Sequence, residues 1–490
     1  MYGEVYAPEK DLSVLSKYDT RLLPEFKGDP DILVRGVIDF AYDSKPWPLT
    51  ELGIAKTALQ NEFEKFKTPI DKRILTLDEA INGFWVEGAR LEYCDDINLK
   101  TAAGYGLPGV KRDNFVTEEI RCPFTSKLEK IEHRISNPKL QEQVDTMWTD
   151  WIDGKTHSIP WSHTLKIEAL KLSKIPNGNT RTFCVASTAL LLNVRRLFGA
   201  FTTAMKKSKI VSFSCLGVDA NSRDWNDLYN NLRDTGPNGA DMDFFKFDRT
   251  AVTWQLARAV CEAINEWYDD GTVNQRARII AFEEMIFAYG LINKHLTRKV
   301  RGNPSGNPLT TELNNCVNYL MLCMVYLIVA KNKSPEDYSI LKWQKNINMK
   351  AYGDDIIFTM TPRCAEWFDF ELLEKTYKEF GVPVTPADKS DAGIVLHPLE
   401  ELSFLKRNFR PYDHHDVKWQ SALSKSSIRS MIQFYRLKPN NGTMFDAIRT
   451  NCLESLIESH HWGEEFFTEH LNKINKWMKA NSYPTIPITY

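Results

Sequence analysis

The chain has 490 residues, enough for about three domains or for one large unit with several lobes. Hydrophobic residues make up 43% and charged residues 26%, a composition that excludes an intrinsically disordered chain. The 62 basic and 64 acidic side chains give a net charge of −2, so a partner that requires a basic surface must meet lysines and arginines clustered on one face.

The N-terminus, the cysteines and the apolar runs exclude several other classes. The N-terminal segment carries charges and no apolar run, unlike a secretory signal. The nine cysteines are scattered without a C-x-x-C pair, which argues against a disulfide framework or a zinc site and favours a reducing compartment. The longest apolar run, residues 319–330, is too short to cross a bilayer and predicts a buried helix, so we expect no transmembrane segment.

In chain order, the first 235 residues are irregular and the clearer elements follow. Residues 240–247 predict a strand, and apolar residues at every fourth position from 252 to 264 predict a helix after it. Residues 347–360 have the pattern of two strands joined by a tight turn at Gly353-Asp354. From about residue 411, two amphipathic helices are predicted over 445–456 and 467–478, with a break at 460–463. The predicted class is α+β, a small sheet with helical or mixed lobes on either side.

Two groups of carboxylates are candidates for chemistry. Asp354 and Asp355 occupy the tip of the predicted hairpin, where adjacent acids without nearby His or Cys favour Mg²⁺, although a solvated turn explains them better when they are taken alone. Asp243 and Asp248 can face one site only if the chain turns into a helix between them. Asp243 beside Asp354 would then present carboxylates to two metal ions about 4 Å apart. Otherwise Asp248 is a helix N-cap and Asp243 an exposed strand residue.

A loop rich in Gly, Pro and Asn, residues 301–308, precedes the apolar helix. A flexible glycine loop that opens onto a helix N-terminus suits contact with phosphate or with a nucleic-acid backbone. Thr310 and Asn314 lie on one face of that helix because they are four residues apart. An ordinary loop and N-cap explain the same residues equally well.

Taken together, these elements resemble the palm motifs of viral RNA-dependent RNA polymerases of the picornavirus-like group. Residues 243–248 resemble motif A, 305–314 motif B and 352–355 motif C. Residues 385–390 resemble motif D, 404–407 motif E, 166–181 motif F and, more loosely, 101–105 motif G. Seven motifs in the family's order are hard to reconcile with chance. Motif G has two alanines in place of its usual serine, and motif B departs from picornaviruses proper, which points to a more distant relative such as a dicistrovirus-like or iflavirus-like insect virus.

The resemblance implies a right-hand polymerase fold with fingers, a palm and a helical thumb. The palm would consist of a small antiparallel sheet and helices. The fingers, including the regions of motifs F and G, would span residues 1–235 and the palm 236–411, with a fingers insertion at about 265–300. The thumb would span residues 412–490.

The resemblance also implies roles for individual residues. Asp243, Asp354 and Asp355 would be catalytic and hold two Mg²⁺ ions, which Mn²⁺ can replace, and Lys389 would be the general acid that protonates pyrophosphate. The NTP and its ribose would be bound by Asp248, Ser305, Gly306, Thr310, Asn314, Lys166, Lys174 and Arg181. The primer and template would be bound by Lys406, Arg407, Thr101, Gly104, Tyr105 and Arg301. Without the resemblance, the stretch that carries Lys166, Lys174 and Arg181 would be interpreted as a solvated basic face.

The implied function is template-directed RNA synthesis for viral genome replication and transcription, from NTPs to an RNA or protein-linked 3′-hydroxyl with release of pyrophosphate. The expected partners are template and primer RNA, NTPs, a genome-linked protein primer and other viral replication proteins, at membrane-associated complexes in the host cytoplasm. A reverse transcriptase or another template-dependent nucleotidyltransferase is one alternative, against which Asp248 and Asn314 argue. A non-catalytic RNA-binding protein on a polymerase fold is the other, against which Asp243, Asp354 and Lys389 argue.

Overall fold

The structure is a computed structural model, and it describes residues 2–4, 12–14, 21–23, 31–42, 44–166, 168–178, 181–292, 295–387, 393–436 and 442–490. Helices and strands are interleaved along the chain, and the strands pair mostly in antiparallel fashion. The predicted α+β class is therefore confirmed.

The N-terminal part combines short strands with helices. Its strands are β1 (Tyr2–Glu4), β2 (Leu12–Val14), β3 (Trp85–Val86), β4 (Ala89–Arg90), β5 (Phe115–Arg121), β6 (Leu128–Ile135), β7 (Trp161–Leu165), β8 (Ala169–Lys171) and β9 (Thr182–Val185). Its helices are α1 (Asp31–Val37), α2 (Leu49–Phe63), α3 (Leu77–Asn82), α4 (Pro138–Ile152), α5 (Thr188–Lys207) and α6 (Asp224–Arg233). Short 3-10 turns cover Ile38–Ala41, Lys111–Asn114 and Leu172–Lys174.

The middle part contains the sheet on which the candidate site is built. Its strands are β10 (Asn238–Phe244), β11 (Tyr289–Ile292), β12 (His295–Arg298), β13 (Ile347–Tyr352), β14 (Asp355–Met360), β15 (Val384–Thr385), β16 (His397–Pro398) and β17 (Ser403–Phe404). Its helices are α7 (Phe247–Thr250), α8 (Trp254–Tyr268), α9 (Thr272–Ile286), α10 (Thr310–Lys333), α11 (Ile340–Asn346), α12 (Pro362–Ala365) and α13 (Phe370–Glu379), with 3-10 turns at Pro335–Asp337 and Leu399–Glu401.

The central sheet has the strand order β13-β14-β10-β15, and β16 pairs with the other end of β10. Alternate side chains of β10 point into the core, where Ala240, Met242 and Phe244 are buried. The predicted hairpin is present, with Gly353 at φ 70° in its turn. The predicted strand 240–247 was too long at its C-terminal end, because Lys246 has φ 52° and the chain turns there into α7.

The long apolar helix α10 is the centre of the main core. By length and hydropathy alone it could cross a membrane, but 94% of its most apolar window is buried inside the protein. Helices α2 and α8, the latter overlapping the predicted stripe from residue 252, pack against it in the same core cluster. The run at 319–330 therefore belongs to a buried helix, as predicted.

A second sheet, with the order β12-β11-β7-β9, joins two distant parts of the chain. Strands β11 and β12 come from the predicted insertion at 265–300, and β11 pairs in parallel with β7 from the N-terminal region. Backbone hydrogen bonds between β11 and β7 therefore connect the predicted insertion to the predicted fingers.

The C-terminal part begins with strands rather than helices. Its elements are β18 (Arg407–His414), β19 (Val417–Leu423), α14 (Lys425–Met431), β20 (Phe434–Arg436), α15 (Met444–His460) and α16 (Glu464–Ala480). The predicted domain start at residue 412 falls inside β18, which pairs with both β17 and β19, so the helical lobe begins only at about residue 424. The two predicted helices and the break between them are present as α15 and α16.

One buried acid in α9 leads to a stability prediction. Glu284 is 6% exposed and accepts the backbone N–H of His157, and burial raises its pKa to about 7. A raised carboxyl pKa contributes stability that is complete below the unfolded pKa near 4.5 and is lost as the pH rises through about 7. Glu284→Gln should therefore increase the free energy of unfolding by about 1–3 kcal/mol at pH 8 and by much less at pH 5.

Thermal unfolding of both proteins at the two pH values measures this difference. Glu283→Gln, the same change at a neighbour that is only half-buried, is the control and should show no such gain. The prediction would be contradicted if the gain in stability of Glu284→Gln over wild type were no larger at pH 8 than at pH 5.

Candidate active site

Strand pairing brings the acids of two strands together. β10 runs antiparallel to β14 with Met242 opposite Ile356, so the next residue, Asp243, lies level with Asp355. Directly opposed residues point to the same face of a sheet, here the face away from the buried Met242 and Ile356. Asp354 occupies the turn before β14 and is exposed. The structure therefore places Asp243 next to the Asp354-Asp355 pair, the arrangement that the sequence-based hypothesis required.

The negative charge gathered at this face changes the proton affinity of Asp355. Burial raises the pKa of Asp355 to about 6, with further contributions from the charges of Asp354 and Asp243, whereas the charges of Lys406 and Arg181 lower it. A carboxylate that is destabilised by acidic neighbours favours a bound cation. Lys406 and Arg181, which the sequence assigned to RNA and to the nucleotide, thus act electrostatically on this carboxylate.

The donor set fits a hard divalent cation. Asp243, Asp354 and Asp355 offer carboxylate oxygens, the ligands that Mg²⁺ prefers, and positive charge relieves their mutual repulsion. Within the described ranges, no group of three or more His, Cys, Asp or Glu side chains forms a ready-made metal site. Mg²⁺ usually keeps waters and substrate phosphates among its ligands. The carboxylates therefore fit an ion whose coordination is completed by a nucleotide.

Asp248 reaches this site because the chain turns after β10. Lys246 takes the left-handed backbone conformation, and Asp248 lies in the first turn of α7. The N-cap of α7 is Lys246, so the alternative N-cap role of Asp248 is wrong. Burial raises the pKa of Asp248, the charges of Arg249 and Arg181 lower it, and the charge of Asp354 raises it. Asp248 and Asp354 therefore interact electrostatically across the site.

A network of asparagines links α7 to the loop before α10. The Asn303 N–H donates to the carbonyl oxygen of Asp248 (2.7 Å), and Asn303 Nδ2 donates to Asn314 Oδ1 (2.7 Å). Asn307 Nδ2 donates to Asn303 Oδ1 (2.7 Å), and the Thr310 hydroxyl donates to the carbonyl oxygen of Asn307 (2.6 Å). The network brings Asp248, Thr310 and Asn314 together. Asn303 and Asn307 were not predicted as site residues, although two asparagines in a Gly/Pro loop are visible in the sequence.

Ser305 and Gly306 form the exposed tip of this loop and contact β9. The Cys184 N–H donates to the carbonyl oxygen of Ser305 (2.8 Å). Gly306 has φ 113°, and a Cβ at this position would lie 1.8 Å from the carbonyl oxygen of Cys184. Only glycine fits here, because two backbones approach closely in a conformation that side chains disfavour.

Gly306→Ala should therefore displace the loop. We expect nucleotide incorporation to fall by about 100-fold, since a shift of about 1 Å in a positioning element has that effect. Gly271→Ala is the matched control, because Gly271 has φ 92° but nothing within 4 Å of its added Cβ. Steady-state incorporation and thermal unfolding of both variants measure the effect, and equal activity of the two would refute the role of the close approach.

The turn that carries Asp354 is held from α10. Asn318 Nδ2 donates to the carbonyl oxygen of Gly353 (2.7 Å), and Asn315 Oδ1 accepts the Gly353 N–H. Asn315 Nδ2 also donates to Ser214 Oγ (2.9 Å). Both asparagines are completely buried. The sequence analysis missed them as positioning residues, since their spacing along α10 has no signature of its own.

The basic residues of the motif F region lie on the surface. Lys166, Lys174 and Arg181 are all exposed, and the Lys166 N–H donates to the carbonyl oxygen of Arg181 (2.9 Å). Lys166 also forms an ion pair with Glu168 (3.1 Å). The pKa shifts of Asp248 and Asp355 place Arg181 among the groups that act on the carboxylates.

The motif G region packs against the start of α5. Thr101 accepts a hydrogen bond from Lys111 Nζ (2.5 Å), and Tyr105 is 47% exposed. Gly104 has φ 96°, and a Cβ there would lie 2.7 Å from Ser187 Cα. Gly104 is therefore required for packing, whereas Thr101 and Tyr105 are exposed.

Two arginines assigned to RNA have partners inside the protein. Arg301 is 8% exposed, and its side chain donates to the Asp39 carbonyl oxygen (3.2 Å) and to Ser44. Arg407 forms a bidentate ion pair with Glu458 of α15 (2.7 and 3.0 Å). Burial and these internal partners hold both guanidinium groups, and the contacts of Arg301 with template and of Arg407 with primer stay predictions.

Lys389, the predicted general acid, lies outside the described residues. The strand that precedes it, β15, is described, and its Thr385 pairs with Asp243. The chain therefore passes next to the carboxylates four residues before Lys389.

A cluster of cations and aromatic rings on the C-terminal lobe was also missed. Arg410 and Lys425 each lie 4.8 Å from the Trp462 ring, and Lys425 and Arg429 lie 4.9 and 5.7 Å from the Phe466 ring. We call these five residues the thumb cluster. Its members are scattered over 57 positions of sequence, so no local motif could have revealed it.

Comparison with known proteins gives a consistent result. Residues 17–479 match the family described as viral RNA-dependent RNA polymerase. The chain is 26% identical over 501 residues to the genome polyprotein of Rice tungro spherical virus (strain Vt6), covering 100% of this chain and 14% of that polyprotein. It is 26% identical over 427 residues to the replicase polyprotein of Acute bee paralysis virus (strain Rothamsted), covering 84% of this chain and 21% of that polyprotein. The chain thus spans about a seventh to a fifth of these relatives' lengths.

Among solved structures, the Sicinivirus 3Dpol RNA dependent RNA polymerase aligns with a TM-score of 0.76 and 18% sequence identity, covering 98% of this chain and 90% of that one. This likeness shows that the two chains share a fold. The predicted right-hand fold and the predicted resemblance to picornavirus-like polymerases are both confirmed.

Proposed function

Because the chain belongs to the viral RNA-dependent RNA polymerase family, we propose that it extends a 3′-hydroxyl on an RNA template, taking nucleotides from NTPs and releasing pyrophosphate. The observation that carries this proposal is the pairing of β10 with β14, which sets Asp243 level with Asp355 and beside Asp354. Asp248 and the asparagine network lie on the same side. Family membership indicates RNA synthesis, and these residues are the ones to which we assign it.

In this proposal Asp243 and Asp354 hold two Mg²⁺ ions, and Asp355 supports them. When bound, such ions lower the pKa of the attacking hydroxyl and balance the charge of the triphosphate. The protein contributes the fixed positions of the carboxylates. These positions are set by the strand register and by the hydrogen bonds of Asn315 and Asn318 with the backbone of Gly353. Mn²⁺ has similar ligand preferences and is expected to substitute.

Asp248, Thr310 and Asn314 form the proposed ribose pocket. Asn303 joins the backbone carbonyl oxygen of Asp248 to the side chain of Asn314, and the Asp248 side chain is 36% exposed, so a ligand can reach its carboxylate. A bound nucleotide would exclude water from this carboxylate, and an acceptor left there without a donor costs free energy, so the pocket should reject a sugar that lacks the 2′-hydroxyl. We therefore expect NTPs to be preferred over dNTPs.

The triphosphate is assigned to basic residues around the carboxylates. Arg181 acts on both Asp248 and Asp355 and is the best supported of them. Lys166 and Lys174 are exposed in the same segment and are proposed to bind phosphate oxygens. Lys389 is proposed to protonate the departing pyrophosphate, because an amine within hydrogen-bond reach can act as a general acid.

For the RNA strands we propose contacts on opposite sides of the site. Lys406 is exposed at the turn between β17 and β18 and is assigned to the primer, with the thumb cluster beyond it. Thr101, Gly104 and Tyr105 are assigned to the template. The matching relatives are polyproteins, which supports further viral proteins as partners, and a genome-linked protein primer stays a prediction. A location at membrane-associated complexes in the host cytoplasm stays a prediction.

The test is primer extension on a homopolymeric RNA template with the complementary NTP or dNTP. We expect incorporation of NTP over dNTP in Mg²⁺ or Mn²⁺, and none after chelation of the metal. Preferred incorporation of dNTP would favour a reverse transcriptase. Metal-independent RNA binding, measured by fluorescence anisotropy, with no incorporation under any condition would overturn the enzyme assignment.

A further inference from the structure

The N-terminal 3-10 turn Ile38–Ala41 contacts both walls of the ribose pocket. On one side, the carboxylate of Asp39 accepts hydrogen bonds from Lys246 Nζ (2.8 Å) and from Arg249 Nη1 (3.4 Å). Lys246 lies two positions before Asp248 in the sequence, and Arg249 follows it directly. Burial alone would raise the pKa of Asp39. The hydrogen bonds and charges of Lys246 and Arg249 outweigh this effect, so the pKa of Asp39 is lowered. Asp39 is therefore held as an anion beside α7.

On the other side, the same turn holds the loop before α10. The Val300 N–H donates to the carbonyl oxygen of Phe40 (3.0 Å), and Arg301 Nε donates to that of Asp39 (3.2 Å). The Phe40 ring packs on Gly302 so closely that a Cβ there would lie 2.4 Å from it. The turn, α7 and the loop consequently form one connected unit, closed by the hydrogen bond from the Asn303 N–H to the carbonyl oxygen of Asp248.

Arg249 is the sensitive member of this unit. Its side chain is 7% exposed, and Nε lies 4.0 Å from Asp248 Oδ1. Among the described residues, Nε has no hydrogen-bond partner. A buried guanidinium needs an anionic partner. For Arg249 this partner is the carboxylate of Asp39, which contacts Nη1 of Arg249. If Asp39 were absent, the nearest remaining acid would be Asp248.

We propose that Asp39 is a positioning residue for ribose selection, which restrains Arg249 so that the carboxylate of Asp248 stays available to the 2′-hydroxyl. Loss of Asp39 lets Arg249 close the 4.0 Å gap and occupy the acceptor that distinguishes a ribonucleotide from a deoxyribonucleotide. This inference rests on the proposed function, since it concerns the sugar pocket of that site. It adds a determinant that lies about 200 residues from the motif it serves.

The test compares Asp39→Ala with the double variant Asp39→Ala/Arg249→Met. Glu262→Ala is the matched control, because Glu262 is also a partly buried carboxylate held by two cations, Lys56 (3.1 Å) and Arg258 (3.0 Å), but it lies on α8 where this helix meets α2. The readouts are the NTP-to-dNTP ratio of kcat/KM in single-nucleotide extension, the ratio of Kd for GTP and dGTP by calorimetry, and the Tm.

In Asp39→Ala we expect the selectivity ratio to fall about tenfold or more, the effect of losing one charge-assisted hydrogen bond to the hydroxyl. The double variant should recover most of the ratio, because it removes the competing cation, and Glu262→Ala should keep the wild-type ratio. A merely structural role of Asp39 would lower the Tm without rescue by Arg249→Met.

Selectivity within twofold of wild type in Asp39→Ala, or a double variant no better than the single one, overturns the inference. If a folded variant is too slow for the kinetic assay, the ratio of the Kd values for dGTP and GTP is compared with that of wild type instead. A wild-type protein that binds GTP and dGTP equally well also counts against the inference. Failure of the proposed function is distinct: the wild-type protein would then incorporate no nucleotide at all.

Discussion

Asp354→Asn is expected to lower NTP incorporation by about 1000-fold or more, an effect of the size seen when a charged group at a reacting centre is removed. The amide is almost the same size, so the turn at Gly353 should keep its hydrogen bonds to Asn315 and Asn318. What is lost is the negative charge that attracts the cation beside Asp243. Primer extension with labelled NTP measures the loss.

Thermal unfolding distinguishes this effect from misfolding. The charge of Asp354 raises the pKa of Asp355, so its removal relieves repulsion and the Tm should stay equal or rise. Asp153→Asn is the control, because Asp153 is an exposed acid paired only at the surface with Lys155 (3.3 Å), and full activity is expected there. Wild-type activity in Asp354→Asn would refute the catalytic assignment.

Asp248→Ala is expected to reduce the preference for NTP over dNTP by about 100-fold, because the pocket no longer contains a carboxylate that accepts from the 2′-hydroxyl when the bound nucleotide excludes water. In the wild-type protein a deoxyribose leaves this acceptor unpaired. In the variant that penalty disappears, so kcat/KM should rise for dNTP while it falls for NTP, which loses its hydrogen bond to the carboxylate. Competition between a labelled NTP and its dNTP at one template position gives the ratio directly.

Two comparisons make this prediction specific. Asp227→Ala removes an exposed acid of α6 that pairs with Arg223 (3.5 Å), and it should leave the preference unchanged. Asp354→Asn should slow both substrates together. An Asp248→Ala enzyme that slows equally with NTP and dNTP would show that Asp248 supports catalysis in general and does not select the sugar.

The hairpin and the C-terminal helices could be predicted because their signals are local. Gly353 at a tight turn between apolar runs predicts two paired strands, and an apolar stripe with the helical period predicts α16. The end of β10 was missed because Lys246, which has no special propensity for it, takes a left-handed conformation. Tertiary contacts, here the ion pair with Asp39, offset the cost of that conformation.

The roles of the arginines could not be predicted from residue type. Arg301 and Arg407 have the same chemistry as Arg181, and a sequence pattern assigns all three to RNA or nucleotide. Only the fold shows that Arg407 pairs with Glu458 and that Arg301 faces residues near position 40, while Arg181 stays exposed and acts on the carboxylates. The sequence cannot show such internal partners, because Asp39 and Glu458 lie 262 and 51 positions away from these two arginines.

The sequence by itself determined the family, the α+β class and the candidate carboxylates, because these depend on residue types at short spacings. The tertiary structure decided which face each carboxylate occupies, that Asn303, Asn315 and Asn318 hold the backbone of Asp248 and Gly353, and that Asp39 contacts the residues on either side of Asp248 from the N-terminal region. The physical reason is the range of the interactions. Turn and helix propensities act over a few residues, whereas strand register, ion pairs and close backbone approach join groups that lie tens to hundreds of positions apart.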